Sequence, residues 1–295
     1  MAKLITIGQL IDNTWDHYRK HFIELMSISG WLLVLAIINI IALVFYPTGT
    51  KLFTGAALDG SEQFGVILFS ISAYIIAPII GLWIFAATVR LVSQQLTGNK
   101  TDVRRAMKDG WKAFWPLLIV SALVLLVLIG GMAIGLGPGF ILAAIAWTTN
   151  ATSMILIANI ILVLGVFVAF ALNLRWSVHY MLAPFAYLLE NKTKVSALKR
   201  ARALISGRFW KTLLLLIAPK AVFILFGVAA MALLAFVTGI FINMTAGLNV
   251  DVQLRLLTIT STIYPIILAV LINPLISITD IFLYKSLQEV AVDKS

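Results

Sequence analysis

The chain has 295 residues, of which 61% are hydrophobic and only 12% charged, with a net charge of +10 and no cysteine. Soluble domains run at about 45–50% apolar and about 25% charged, so a water-soluble globule is excluded, and the mean hydropathy of +1.03 points the same way. Without cysteine there are no disulfides or thiolate metal sites, and no stretch of ordinary polarity is long enough for a soluble domain, so residues 1–295 are expected to form a single membrane domain.

The first 22 residues, MAKLITIGQLIDNTWDHYRKHF, lack a compact apolar core followed by a small-residue cleavage site, and no cleavable signal is expected. Instead Ile7, Leu10, Ile11, Thr14, Trp15, Tyr18 and Phe22 recur at helical spacing, and Thr6 with Gln9 fits a capping box that opens an amphipathic helix. Six apolar runs follow, at about Phe22–Tyr46, Phe64–Leu96, Phe114–Trp147, Thr152–Leu189, Phe209–Met244 and Leu256–Leu287. Each exceeds the roughly 20 residues a helix needs to cross a bilayer. They are continuous rather than alternating in ten-residue segments, which argues for helices over a barrel.

Most of the runs are longer than a simple span, so tilt, kinks or extension beyond the membrane must absorb the excess. Candidate kinks are Pro78, Gly130-Gly131, Gly137-Pro138-Gly139, Pro184, Pro219, Pro265 and Pro274. The stretch Gly139–Trp147 either completes the third helix or lies at the outer surface. The Gly-rich GGMAIGLGPG is followed by no Lys-Ser/Thr and is no phosphate loop; its small residues suit close helix approach or a kink.

Two basic segments resemble each other. GNKTDVRRAMKDGWKAFW runs from Gly98 to Trp115 and ENKTKVSALKRARALISGRFW from Glu190 to Trp210. Both hold Asn-Lys-Thr-x-Val, a cluster of Lys and Arg, and a closing Phe-Trp. In the first, Val103, Ala106, Met107, Gly110, Trp111 and Phe114 share a face opposite Arg104, Arg105, Lys108 and Lys112. In the second, Val195, Leu198, Ala201, Ile205 and Phe209 oppose Lys194, Lys199, Arg200 and Arg208. With the N-terminal helix, the chain therefore reads as three pseudo-repeated units, about 1–96, 97–190 and 191–295. Each would be an interfacial amphipathic helix followed by two transmembrane helices. The fold class expected is an all-α polytopic membrane bundle with six transmembrane helices.

Charge sets the orientation. Met1–Phe22, Arg90–Lys112, Arg175–Lys211 and Lys285–Lys294 together carry 19 of the 22 Lys and Arg residues, while the alternate connections carry only Lys51 and Arg255. By the positive-inside rule both termini are expected in the cytoplasm, in a bacterial plasma membrane. The net charge reads as topology rather than nucleic-acid binding. Arg104, Arg105, Lys108, Lys112, Lys194, Lys199, Arg200, Arg202 and Arg208 are the candidates to contact the lipids of an anionic inner leaflet. Asn150-Ala-Thr and Asn243-Met-Thr are glycosylation sequons on the expected outer side, idle in a bacterial chain.

Arg90, Arg175, Lys220 and Asp280 lie inside or at the inner ends of apolar runs, and Glu190 closes the fourth. Charges at membrane depth are costly and usually face the bundle interior in pairs. Asp280 has a short side chain and needs a partner, with Lys220 the first candidate and Arg90 or Arg175 next; the cations have the alternative of snorkelling to the surface. His17 and His21 are spaced to share a metal, but without an obvious third ligand a solvated polar face is expected; His179 is expected to hydrogen-bond locally.

The stretch RWSVHYMLAPFAYLLENKTKVSALKRARALISGRFWKTL, Arg175–Leu213, resembles the six-helix family labelled glycerophosphoryl diester phosphodiesterase membrane-domain-like. The features that carry the resemblance are Arg175, Pro184, Glu190, Ala197-Leu198 and Gly207-Arg208-Phe209-Trp210, with Gly137-Pro138-Gly139 before the fourth span and Pro274 and Tyr284-x-x-Leu287 in the last. The chain departs from the family in the roughly 35 residues between Pro-Gly and Arg175. The resemblance implies a six-helix architecture and no particular activity. The phosphodiesterase of the label is a separate domain in some relatives, and the three His and scattered carboxylates here offer no cluster for a hydrolytic metal. Neither catalysis nor a cofactor is expected. The function expected is a non-enzymatic membrane protein that contacts lipids or a membrane partner; the alternative is a transporter of a small polar or amphiphilic solute. A polar cavity lined by Asn159, Asn173, Lys220 or Asp280 would favour transport, and a dry interior with a lateral groove would favour lipid contact.

Overall fold

The computed structural model describes residues 4–98, 101–149, 151–246 and 249–292. Asn99 and Lys100 of the first basic segment, the sequon residue Asn150 and Lys294 lie outside the described residues. Among the described residues every regular element is helical. Six helical segments are long and apolar enough to cross a membrane: Phe22–Val44, Gly60–Leu96, Val103–Thr149, Thr152–Glu190, Phe209–Thr245 and Val252–Ala291. This is a multi-pass membrane protein.

The chain folds as two compact units, one of Ile5–Phe114 with Ile217–Leu283, the other of Met1–Leu4, Trp115–Leu216 and Tyr284–Ser295. The division cuts across the three units read from the sequence.

In the first unit, α1 (Ile7–Lys20) opens on the expected capping box: Gln9 N donates to Thr6 Oγ1 at 3.3 Å and Thr6 N to Gln9 Oε1 at 3.1 Å. Its apolar face is divided. Leu10, Thr14 and Tyr18 are buried, while Ile7, Trp15 and Phe22 stay exposed. Thr14 meets Thr279 at 3.3 Å between hydroxyls, and the Tyr18 hydroxyl donates to the Leu271 carbonyl at 3.2 Å. So α1 packs on protein along one stripe rather than resting its whole apolar face on lipid.

The first span joins α2 (Phe22–Ser29), a 3-10 turn (Gly30–Leu32) and α3 (Leu33–Val44). After the short α4 (Gly49–Thr54), α5 (Gly60–Ile71) starts on an Asp59–Glu62 capping box. A π turn, Ser72–Ile76, leads into α6 (Ala77–Leu96). Pro78 sits just beyond that turn. Its ring would clash with the carbonyl four residues earlier and it has no N–H to offer there, and a widened turn relieves both problems. Helices α3 and α5 cross closely at Gly65, where a Cβ would fall 2.7 Å from the Phe45 carbonyl carbon.

α7 is one helix from Val103 to Thr149, with Pro116 and Pro138 inside it. This settles the placement of Gly139–Trp147, which completes the third helix, and corrects the expectation of a separate interfacial helix in the second repeat unit: the basic segment at Val103 forms the first turns of α7. The third copy differs because α10 (Lys194–Ile205) ends before Gly207, which adopts φ +78°, a left-handed value glycine takes without steric cost. The second copy has no such stop. Its glycine, Gly110, is helical and lies against α6, where a Cβ would come 2.8 Å from Ala87 N.

In the second unit, α7 packs on α8 (Thr152–Tyr180) through glycines four residues apart. A Cβ on Gly131 would meet Asn173 Oδ1 at 2.8 Å, on Gly135 the Gly165 carbonyl at 2.6 Å, and on Gly139 the Leu162 side chain at 2.6 Å. These small residues allow backbone contact between membrane helices. Pro184 lies in the first turn of α9 (Ala183–Glu190), and the helical segment Thr152–Glu190 is interrupted just before it, at Met181 and Leu182. The last two spans lie in α11 (Phe209–Ala246) and α12 (Val250–Val292), both continuous through their prolines. The last span is the most buried, at 56% of its most apolar stretch against 11% for the fifth, and so it can shelter polar groups.

Candidate functional site

Lys220 of α11 and Asp280 of α12 form a buried ion pair. Lys220 Nζ lies 2.7 Å from Asp280 Oδ1 and 2.9 Å from Oδ2, and their side chains are 11% and 5% exposed. The sequence named Lys220 as the first partner for Asp280. Arg90 is not that partner: it is half-buried on α6, and its Nε finds no hydrogen bond among the described residues. Arg175 is exposed and belongs to the second unit. Beside the ion pair is a cavity of about 240 Å³, lined by Asp280 together with Ser29, Thr88, Asn273 and Ser277, and closed by apolar residues such as Leu32 and Phe85. Asn159 is exposed, and Asn173 faces Gly131, so neither lines it.

Glu190 closes α9 and is held from two sides. Arg200 Nε donates to its two oxygens at 3.1 and 2.8 Å, and the buried Tyr284 hydroxyl donates to Oε1 at 2.6 Å. Asn191 then turns the chain at φ 55° into α10. Arg200 was grouped with the lipid-facing cations; the structure directs it inward. Its position, three residues after buried Ala197 and four before buried Leu204, was the available signal. Val195, placed on the apolar face of this helix, is instead 54% exposed.

The remaining cations turn out. Arg104, Arg105, Lys108, Lys112, Lys194, Lys199 and Arg202 are exposed and Arg208 is half-buried. Arg105 and Lys112 approach Asp109 only loosely, at 3.8 and 3.9 Å. Trp111 near the start of α7 and Trp210 after α10 are exposed by 56% and 71%. The two cations of the alternate connections behave differently. Lys51 Nζ is 2.6 Å from Glu62, and Arg255 donates to the carbonyls of Val44 and Tyr46.

A second cavity, of about 250 Å³, is lined by Arg175, Trp176, His179 and Tyr180 of α8 and by Arg202 of α10. His179 Nδ1 donates to the Arg175 carbonyl at 2.7 Å, the local bond the sequence suggested, and its ring stacks on Phe209.

His17 and His21 are not a solvated face. Both are half-buried in a network centred on Glu24. His17 Nε2 donates to Gln95 Oε1 at 2.8 Å, and Gln95 Nε2 donates to Glu24 at 2.6 Å; His21 Nδ1 and the Thr101 hydroxyl also reach Glu24, at 3.0 and 3.1 Å. Burial holds the His17 imidazole below its usual range. Every member is matched donor to acceptor, and no group of three or more metal-binding side chains occurs among the described residues.

Comparison of the chain with known protein families, with curated proteins and with solved structures finds no match.

Proposed function

We propose that this is a non-enzymatic membrane protein that binds anionic lipids at the inner leaflet, with both termini in the cytoplasm. The observation that carries the reading is the contrast between its two sets of cations. Those at the start of α7, and Lys194, Lys199 and Arg202 of α10, are exposed, with Trp111 and Trp210 exposed on the same stretches of chain, whereas Lys51 and Arg255 are bound to protein oxygens. Exposed cations near an anionic surface stabilise by about 1 kcal/mol each, and tryptophan is favoured at the headgroup level.

The test is lipid retention. Protein carrying Arg104→Gln, Lys108→Gln, Lys194→Gln and Lys199→Gln should keep at least tenfold less phosphatidylglycerol through purification in mild detergent, and the retention should lose most of its salt sensitivity. Equal retention in wild type and variant would show that these residues serve topology alone.

A second reading, transport of a small polar solute, is favoured by the cavity at Asp280, since hydroxyls, an amide and an ion pair at membrane depth are costly without a polar occupant. Filling it with Thr88→Leu should abolish uptake of such a solute into proteoliposomes and leave lipid retention unchanged. Uptake that survives the substitution would remove this cavity from any transport path.

A further inference from the structure

We infer that the cavity between α8 and α10 is a phosphate-recognition site, with Arg175 and Arg202 gripping the phosphodiester of a phospholipid headgroup. The inference rests on the lipid-binding reading above and names the chemistry that one site would select.

Three observations converge. First, two arginines are among the residues that line one cavity, and no carboxylate residue is. Neither Arg175 nor Arg202 has a side-chain hydrogen bond or ion pair among the described residues, while the more sheltered cations Arg200 and Lys220 are both paired. Like charges that share a concavity repel, and an anion between them converts that repulsion into attraction; the planar guanidinium fork matches phosphate oxygens two at a time.

Second, His179 gives its Nδ1 proton to a carbonyl, which can only accept. Its Nε2 is then the free ring nitrogen, suited in the neutral form to accept from a hydroxyl such as those of a glycerol headgroup. Trp176 and Tyr180 complete the wall with residue types favoured at the membrane interface.

Third, about 250 Å³ is below the ~300–1,000 Å³ of pockets that enclose a drug-sized ligand. It admits a headgroup but not acyl chains. Arg175 and Trp176 belong to the apolar span Thr152–Glu190, so the chains have an apolar surface at hand.

The shared chemistry is a phosphate group, which a lipid or a soluble phosphate could supply, and two probes separate the sources. Native mass spectrometry of the detergent-purified protein with short-chain phosphatidylglycerol should show one lipid bound tightly. Arg175→Gln with Arg202→Gln should weaken that binding at least tenfold, and Arg175→Lys with Arg202→Lys should recover only part of it, because the charge returns without the fork. Thermal stabilisation of the wild type should be seen with the lipid and be absent with inorganic phosphate at the same concentration. Equal stabilisation by inorganic phosphate would keep the phosphate site and overturn the lipid as its source. If the Gln variant, folded by circular dichroism, keeps wild-type affinity for lipid, the site is wrong. Should the Gln variant not fold, an unchanged affinity in the Lys variant sinks the proposal as directly. The quadruple α7/α10 variant described above leaves Arg175 and Arg202 in place. A pocket that fails while that variant still loses bulk phosphatidylglycerol therefore refutes this inference alone, and the reverse refutes the broader reading alone.

Discussion

Replacing Lys220 with Met is expected to destabilise the protein more than replacing Asp280 with Asn, although the two side chains form one ion pair. The difference lies in what is left behind. Without Lys220, Asp280 keeps a short side chain at 5% exposure, too short to reach water, and must take up a proton or stay charged in a poor solvent. Without the carboxylate, Lys220 has a four-carbon stem and can swing its ammonium toward the interface.

Breaking one half of a buried pair in soluble proteins costs about 3–5 kcal/mol, while polar contacts between membrane helices average nearer ~0.6 kcal/mol. The burial of both groups puts this pair toward the larger figure; the hydroxyls and amide beside Asp280 pull it back. We expect about 2 kcal/mol for Lys220→Met, about half that for Asp280→Asn, and partial recovery in the double variant. Thermal unfolding in detergent checks this, and strictly additive losses would show that the pair contributes no coupling.

The other large effect is expected at a glycine. Gly165→Ala places a methyl group into the Gly135 carbonyl, and backbone cannot step aside as a flexible side chain can. Overpacking of this kind costs about 1–3 kcal/mol, occasionally more, and here it must part α7 from α8. Gly130→Ala, on the same helix α7 but with no neighbouring group within 4 Å of the new atom, should be neutral or slightly stabilising through helix propensity. Melting temperatures of the two variants decide the matter, and a similar loss in both would mean that the helices are not in contact at Gly165.

These cases show how far the sequence could be read. The spans were legible because hydrocarbon imposes a length and a polarity that no soluble element needs. The Lys220–Asp280 pair was legible because few side chains at that depth can answer a carboxylate. The continuity of α7 was not, since a proline inside an apolar run reads equally as a kink, a break or an accommodated residue. The helix contact at Gly131, Gly135 and Gly139 was half legible: small residues announced close approach, but only packing chose α8 as the partner. The cavity of Arg175 and Arg202 was hidden for the same reason. Those residues are 27 positions apart, and no local pattern joins them.

Asp280 and Tyr284 stand one turn apart on the last long helix, and both serve residues made much earlier. During synthesis Glu190 and Arg200 emerge close together and can meet at once, but the hydroxyl that completes their contact follows 84 residues after Arg200. Lys220 waits 60 residues for its counterion. Until α12 arrives, the inserting chain carries an unneutralised ammonium in α11 and an unfinished clamp under α10. α12 thus completes two contacts begun by earlier helices, and a chain cut before it would carry Lys220 in an apolar helix without its counterion.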